Sequence, residues 1–167
     1  KELARLRREM DDLQAARDSL DADMKRIRGH GTVHELGPEL EQALTERLHR
    51  LPDSRDFARA REASQQLIAK TSDANVGVER ALDELGDMQA ATARRIAPEI
   101  LRVEPAQRAR FAATTRAGLD AQRDLLARLA SQQVEILETL EAGAKSQREF
   151  ERQTESARAT LTGYLFW

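Results

Sequence analysis

His30-Gly31-Thr32-Val33-His34-Glu35 sets two imidazoles and a carboxylate close together, the residue types that hold zinc. Zinc needs two histidines on one rigid face plus further ligands. Here Gly31 disrupts helical geometry between the pair, and only the distant His49 offers a third imidazole. A polar loop between helices is the better reading, and no metal site is expected. A second group is cationic: Arg94, Arg95, Arg102, Arg108, Arg110 and Arg116 face only Glu99 and Glu104, so six minus two gives +4 over that stretch. Such a patch suits anionic headgroups, a cell-wall polymer or an acidic partner, against the plainer reading of solvated faces at two helix ends. A third group is the aromatic end, Tyr164, Phe166 and Trp167. Aromatic clusters gather where a helix meets a membrane surface, although the same residues would also serve a core-facing helix end. Catalysis finds no footing. Carboxylates fall on wet helix faces, no glycine-rich phosphate loop exists, and no nucleophile stands beside a suitable base, so neither an enzyme, a small-molecule substrate nor a cofactor is expected.

Composition explains why so little chemistry is present. Charged residues make up 34% of the 167 and aromatics 4%, which leaves few large side chains for a globular core and suits long helices with a narrow apolar stripe. The net charge of -2 argues against nucleic-acid binding, which requires concentrated positive charge. Without cysteine there are no disulfides, thiolate nucleophiles or cysteine-held zinc. No run reaches the roughly 20 apolar residues that span a bilayer, and the basic start lacks a signal-peptide core. Both ends read as cuts within a larger polypeptide, since the chain opens on Lys1 and stops on its one tryptophan.

The elements that must position these groups are helices. Leu3, Leu6, Met10, Leu13, Leu20, Met24 and Ile27 alternate steps of three and four, with Arg17 in one slot, predicting a helix over about 3–28 that ends at a basic last turn and Gly29. Residues 29–37 read as a loop. Gly37-Pro38-Glu39 then reads as a cap, an N1 proline and an acidic first turn of a short helix over 38–51, carrying Leu40, Leu44, Leu48 and Leu51. Pro52-Asp53-Ser54 stops it. From Phe57 through Ala60, Ser64, Leu67, Thr71, Ala74, Val78, Ala81, Leu85 and Met88 to Thr92 one register persists, although Thr71 to Gly77 holds residues that prefer caps and turns. A single helix over 54–97 is expected, with any kink near Gly77. Pro98 and Pro105 bracket a chain reversal plugged by Ile100, Leu101 and Val103.

Pro105 restarts the chain behind Glu104 as an N1 proline, and no proline follows. Leu119, Gln122, Leu126, Leu129, Gln133, Ile136, Leu140, Gly143, Gln147, Phe150, Thr154, Ala157, Leu161 and Tyr164 hold one seam, so a helix over 105–166, a rod of roughly 90 Å, is expected to pair lengthwise with the earlier helices. Gln133, Gly143 and Gln147 weaken the seam. Polar a and d positions control register or allow a modest bend, and a functional hinge is the sharper alternative. The fold class is thus all-α: one elongated antiparallel bundle over 1–167, coiled-coil-like, with one short and about three long helices.

Leu125-Leu126, Leu129, Leu137, Leu140, Gln147 and Phe150, followed by Leu161-x-x-x-Leu165-Phe166-Trp167, resemble the C-terminal end of the periplasmic helical region of large multi-pass mechanosensitive channels of the small-conductance family, of the potassium-dependent and miniconductance types. The resemblance covers about Leu119 to Trp167. It implies an extracytoplasmic helical domain on the periplasmic face of a bacterial inner membrane, in a channel that answers hypoosmotic stress, with the pore elsewhere. Its partners would be the other subunits of a homo-oligomeric channel and the membrane beyond Trp167. Two other readings remain open: a coiled-coil scaffold that associates through exposed seams, and a periplasmic sensor bundle of a membrane receptor.

Overall fold

The computed structural model describes Glu2–Gly29 and Pro38–Phe166. The His30, His34 and Glu35 group, the Gly37 cap, the Leu40 side chain and Trp167 lie outside the described residues. The fold is an all-α helical bundle: α1 Glu2–Gly29, α2 Pro38–Arg50, α3 Ser54–Glu84, α4 Met88–Ile96 and α5 Arg108–Leu165. Short 3-10 turns at Ile100–Arg102 and Pro105–Gln107 join α4 to α5. The chain divides into two compact units, one of residues Lys1–Ile68 with Thr139–Trp167 and the other of Ala69–Glu138.

In the first unit the apolar stripe of α1 points inward. Leu3, Leu6, Met10, Leu13, Arg17 and Ile27 are half-buried, while Leu20 and Met24 are buried. Leu20 and Met24 join Leu44 of α2 and Ala157 and Leu161 of α5 in one cluster, with Leu48, Leu51, Phe150, Tyr164 and Leu165 packed around it. Burying a leucine as fully as Leu161 contributes about 2 kcal/mol by area alone. α1 runs parallel to α5, since Met10 lies opposite Gly143 and Arg17 reaches Ser146 and Glu149 further along. α3 runs antiparallel to α5: Phe57 meets Phe150 edge to face at 5.6 Å, and Ser64 meets Gln147. The turn at Pro52 is held from outside, where Arg158 donates to the Pro52 carbonyl at 2.9 Å.

The second unit corrects the expectation of one helix over 54–97. α3 passes through Thr71–Gly77 and stops at Glu84, ten residues before the basic end of α4 at Arg94. The polar stretch is tolerated because Ser72, Asp73, Ala74, Val76 and Gly77 face solvent, where turn-forming side chains compete little with the helix. The break falls at Gly86-Asp87 instead. Asp87 is extended, with φ -96° and ψ 94°, and its carboxylate accepts from the backbone of Gln89 and Ala90, each at 3.0 Å. This caps α4 and makes a new helix start more favourable than continuation. Gly86 suits the turn because a Cβ there would lie 3.1 Å from the Asp83 carbonyl oxygen. The register survives the break: Val78, Leu85 and Thr92 are all buried.

The plug also needs correction. Ile100 and Val103 are half-buried, but Leu101 is 84% exposed. Pro105 opens a 3-10 turn rather than α5 itself, with Glu104 before it making no side-chain cap.

Candidate functional surface

α5 carries the aromatic end. Its buried stripe reaches the last turn, so Tyr164 and Leu165 are half-buried against the core of the first unit, whereas Phe166 is 84% exposed. The two described members of the aromatic group singled out in the sequence therefore separate by role: Tyr164 continues the seam and Phe166 faces outward.

The arginine group is built by α4, the two 3-10 turns and the start of α5. Arg94 donates to the Glu84 carbonyl at 3.0 Å, tying α4 back to the end of α3, and Arg108 donates through Nε to the Val103 carbonyl at 3.1 Å. These two hold the turn together. Arg95, Arg102, Arg110 and Arg116 are exposed, as are Glu99 and Glu104. The turn so unites one group of tying arginines and one group facing solvent.

Polar contacts whose partners the sequence spacing did not reveal join the helices of the first unit. Arg17, which looked like a defect in the α1 heptad, donates to Ser146 Oγ at 3.1 Å and pairs with Glu149 at 2.9 Å. Its signal was an arginine in an apolar slot. Arg61 pairs with Glu151 at 2.6 Å, and Arg47 of α2 pairs with Asp23 of α1. Gly143 lies opposite Met10 of α1, and an added Cβ there would meet Met10 Cγ in ordinary contact at 3.7 Å. Gln147 accepts from Ser64 Oγ at 3.5 Å. The polar seam positions therefore serve helix pairing and register. Two cavities of about 130 and 140 Å³ flank this Ser64–Gln147 contact, large enough for waters and too open to sequester a substrate.

Among the described residues the electrostatic shifts fall on exposed groups. The Ser54 hydroxyl and then the Ser54 backbone N–H donate to Asp53 and hold its carboxyl below the usual range, while Arg5 and Lys25 are raised by hydrogen bonds to Glu9 and Asp21. Among the described residues no such shifts gather at one place to form an acid–base pair. Among the described residues no group of three His, Cys, Asp or Glu side chains converges on a metal position, and no helix is long and apolar enough to cross a membrane.

Fold and surface define an all-α helical bundle with polar clamps along its longest helix. No protein-family model, no curated protein and no solved structure matches the chain.

Proposed function

We propose that this chain is an extracytoplasmic helical domain of an inner-membrane mechanosensitive channel, serving assembly or force coupling and not forming the pore. The observation that carries the reading is the end of α5, whose inward stripe runs uninterrupted to Tyr164 and Leu165 and is followed by the outward-facing Phe166. An exposed aromatic at the end of a well-packed helix suits an interface between water and lipid. The clamps Arg17–Glu149 and Arg61–Glu151 brace the same half of α5 from two sides, which suits a helix that bears load along its axis. The domain would be non-enzymatic, with sister subunits and the adjacent bilayer as partners. The test is the encoding reading frame. A run of about 20 apolar residues beginning within a few positions of Trp167, followed by further spans, supports the channel, and a polar heptad continuation overturns it.

A second reading, a coiled-coil scaffold, is favoured by apolar side chains left outside on α5, namely Leu125 at 66%, Leu129 at 41% and Val134 at 44% exposure. Sedimentation equilibrium tests the exposed seam on which this reading rests. Self-association that Leu125→Asp abolishes favours the scaffold, and a monomer at all concentrations removes it.

A further inference from the structure

We propose that the arginine-rich turn between α4 and α5 docks on an anionic lipid surface, with Leu101 entering the headgroup interface. The 3-10 turn Ile100–Arg102 sends its flanking apolar residues Ile100 and Val103 inward and leaves Leu101 84% exposed, as exposed as Phe166. Internal packing gives this leucine no role. Its surroundings are cationic: over residues 94–110 the five arginines Arg94, Arg95, Arg102, Arg108 and Arg110 oppose Glu99 and Glu104, so five minus two gives +3. Arg94 and Arg108 donate to backbone carbonyls, and Arg95, Arg102 and Arg110 are exposed to solvent.

The turn is also ordered before any partner arrives. Hydrogen bonds from Ala97 N to Ala93 O, Glu99 N to Ile96 O, Arg102 N to Glu99 O and Gln107 N to Glu104 O, each at 2.9 Å, close successive turns of backbone. Leu101 is therefore presented without a further ordering cost. Arginines alone would suit any polyanion. An outward leucine seated among them adds apolar transfer to charge attraction, the combination that interfacial anchors use. A lipid surface satisfies both at once, whereas a soluble polyanion leaves the leucine in water.

The proposal rests on the second unit alone and stands apart from the channel reading, which rests on the far end of α5. The test is sedimentation of the 167-residue chain with vesicles of phosphatidylcholine containing phosphatidylglycerol, beside vesicles of phosphatidylcholine alone, with circular dichroism to confirm that each variant keeps its helices. Binding is expected to the anionic vesicles only and to weaken as salt rises. Each arginine contributes roughly fivefold, so Arg95→Glu with Arg102→Glu should weaken binding by at least about tenfold, and Leu101→Ser should weaken it severalfold. Phe166→Ala should leave it unchanged. Absence of binding, equal binding to neutral vesicles, or loss only in Phe166→Ala overturns the proposal. Sensitivity to the arginines with indifference to Leu101→Ser overturns the lipid assignment in favour of a soluble polyanion.

Discussion

Leu161 is fully buried, at 0% exposure, and it sits in a cluster drawn from three helices. Removing its branched end leaves a void that α1 and α2 cannot both collapse into. Leu161→Ala should therefore cost about 3 kcal/mol, read as a lower midpoint in urea at unchanged slope. Its neighbour Thr154 makes the opposite case. Thr154 is 2% exposed and its hydroxyl finds no hydrogen-bond partner among the described residues, a desolvated group without compensation. Thr154→Val keeps the shape and removes the orphan, so it should raise stability by about 1 kcal/mol. A lower melting temperature in that variant would mean that the hydroxyl has a partner in solution. The sequence placed both residues correctly on the seam, since spacing reports which face is inward. It could not report which seam positions are dry, because that depends on what the other helices bring opposite them.

At the scale of elements, α3 and α4 show how register and continuity differ. The three-four spacing runs from Phe57 to Thr92 as if through one helix, because the turn at Leu85–Asp87 is short enough to return the stripe inward. Local chemistry held the missing signal: a glycine followed by an N-cap aspartate. Asp87→Ala should cost about 1 kcal/mol and speed amide exchange at Gln89 and Ala90, whereas Asp87→Asn should be nearly neutral. Gly77, by contrast, lies in unbroken helix where an added Cβ meets nothing within 4 Å. Gly77→Ala should then stabilise the chain by about 1 kcal/mol in thermal unfolding. A destabilised variant would restore the kink that the sequence suggested at this point. The one slip of register is also local, for Asn75 takes the half-buried slot expected of Ala74 and donates to Glu79 at 2.8 Å.

In the molecule as a whole, burial is uneven between the two units. The first holds Leu20, Met24, Leu44, Phe57, Leu140, Thr154, Ala157 and Leu161 as buried side chains, and the second holds Val78, Leu85, Ala91 and Thr92. Apolar burial sets the free energy of local opening, so native-state hydrogen exchange should show 69–138 opening at a lower free energy than the Thr139–Leu165 part of α5. Uniform protection along α5 would instead mark one cooperative unit. The sequence by itself determined the all-α class, the inward faces of α1, of α3 apart from Ala74 and of α5 from Gln133 onward, and the chain reversal between Pro98 and Pro105, because each follows from periodicity, caps and proline sterics acting within a few turns. Gln122 and Leu129, expected on the α5 seam, are exposed. Only the tertiary structure decided that Arg17 belongs to a clamp with Glu149, that Met10 lies opposite Gly143, and that Leu101 turns outward. Those outcomes depend on residues more than a hundred positions away or on the packing of a turn against its unit, and hydrophobic spacing along one chain carries no record of either.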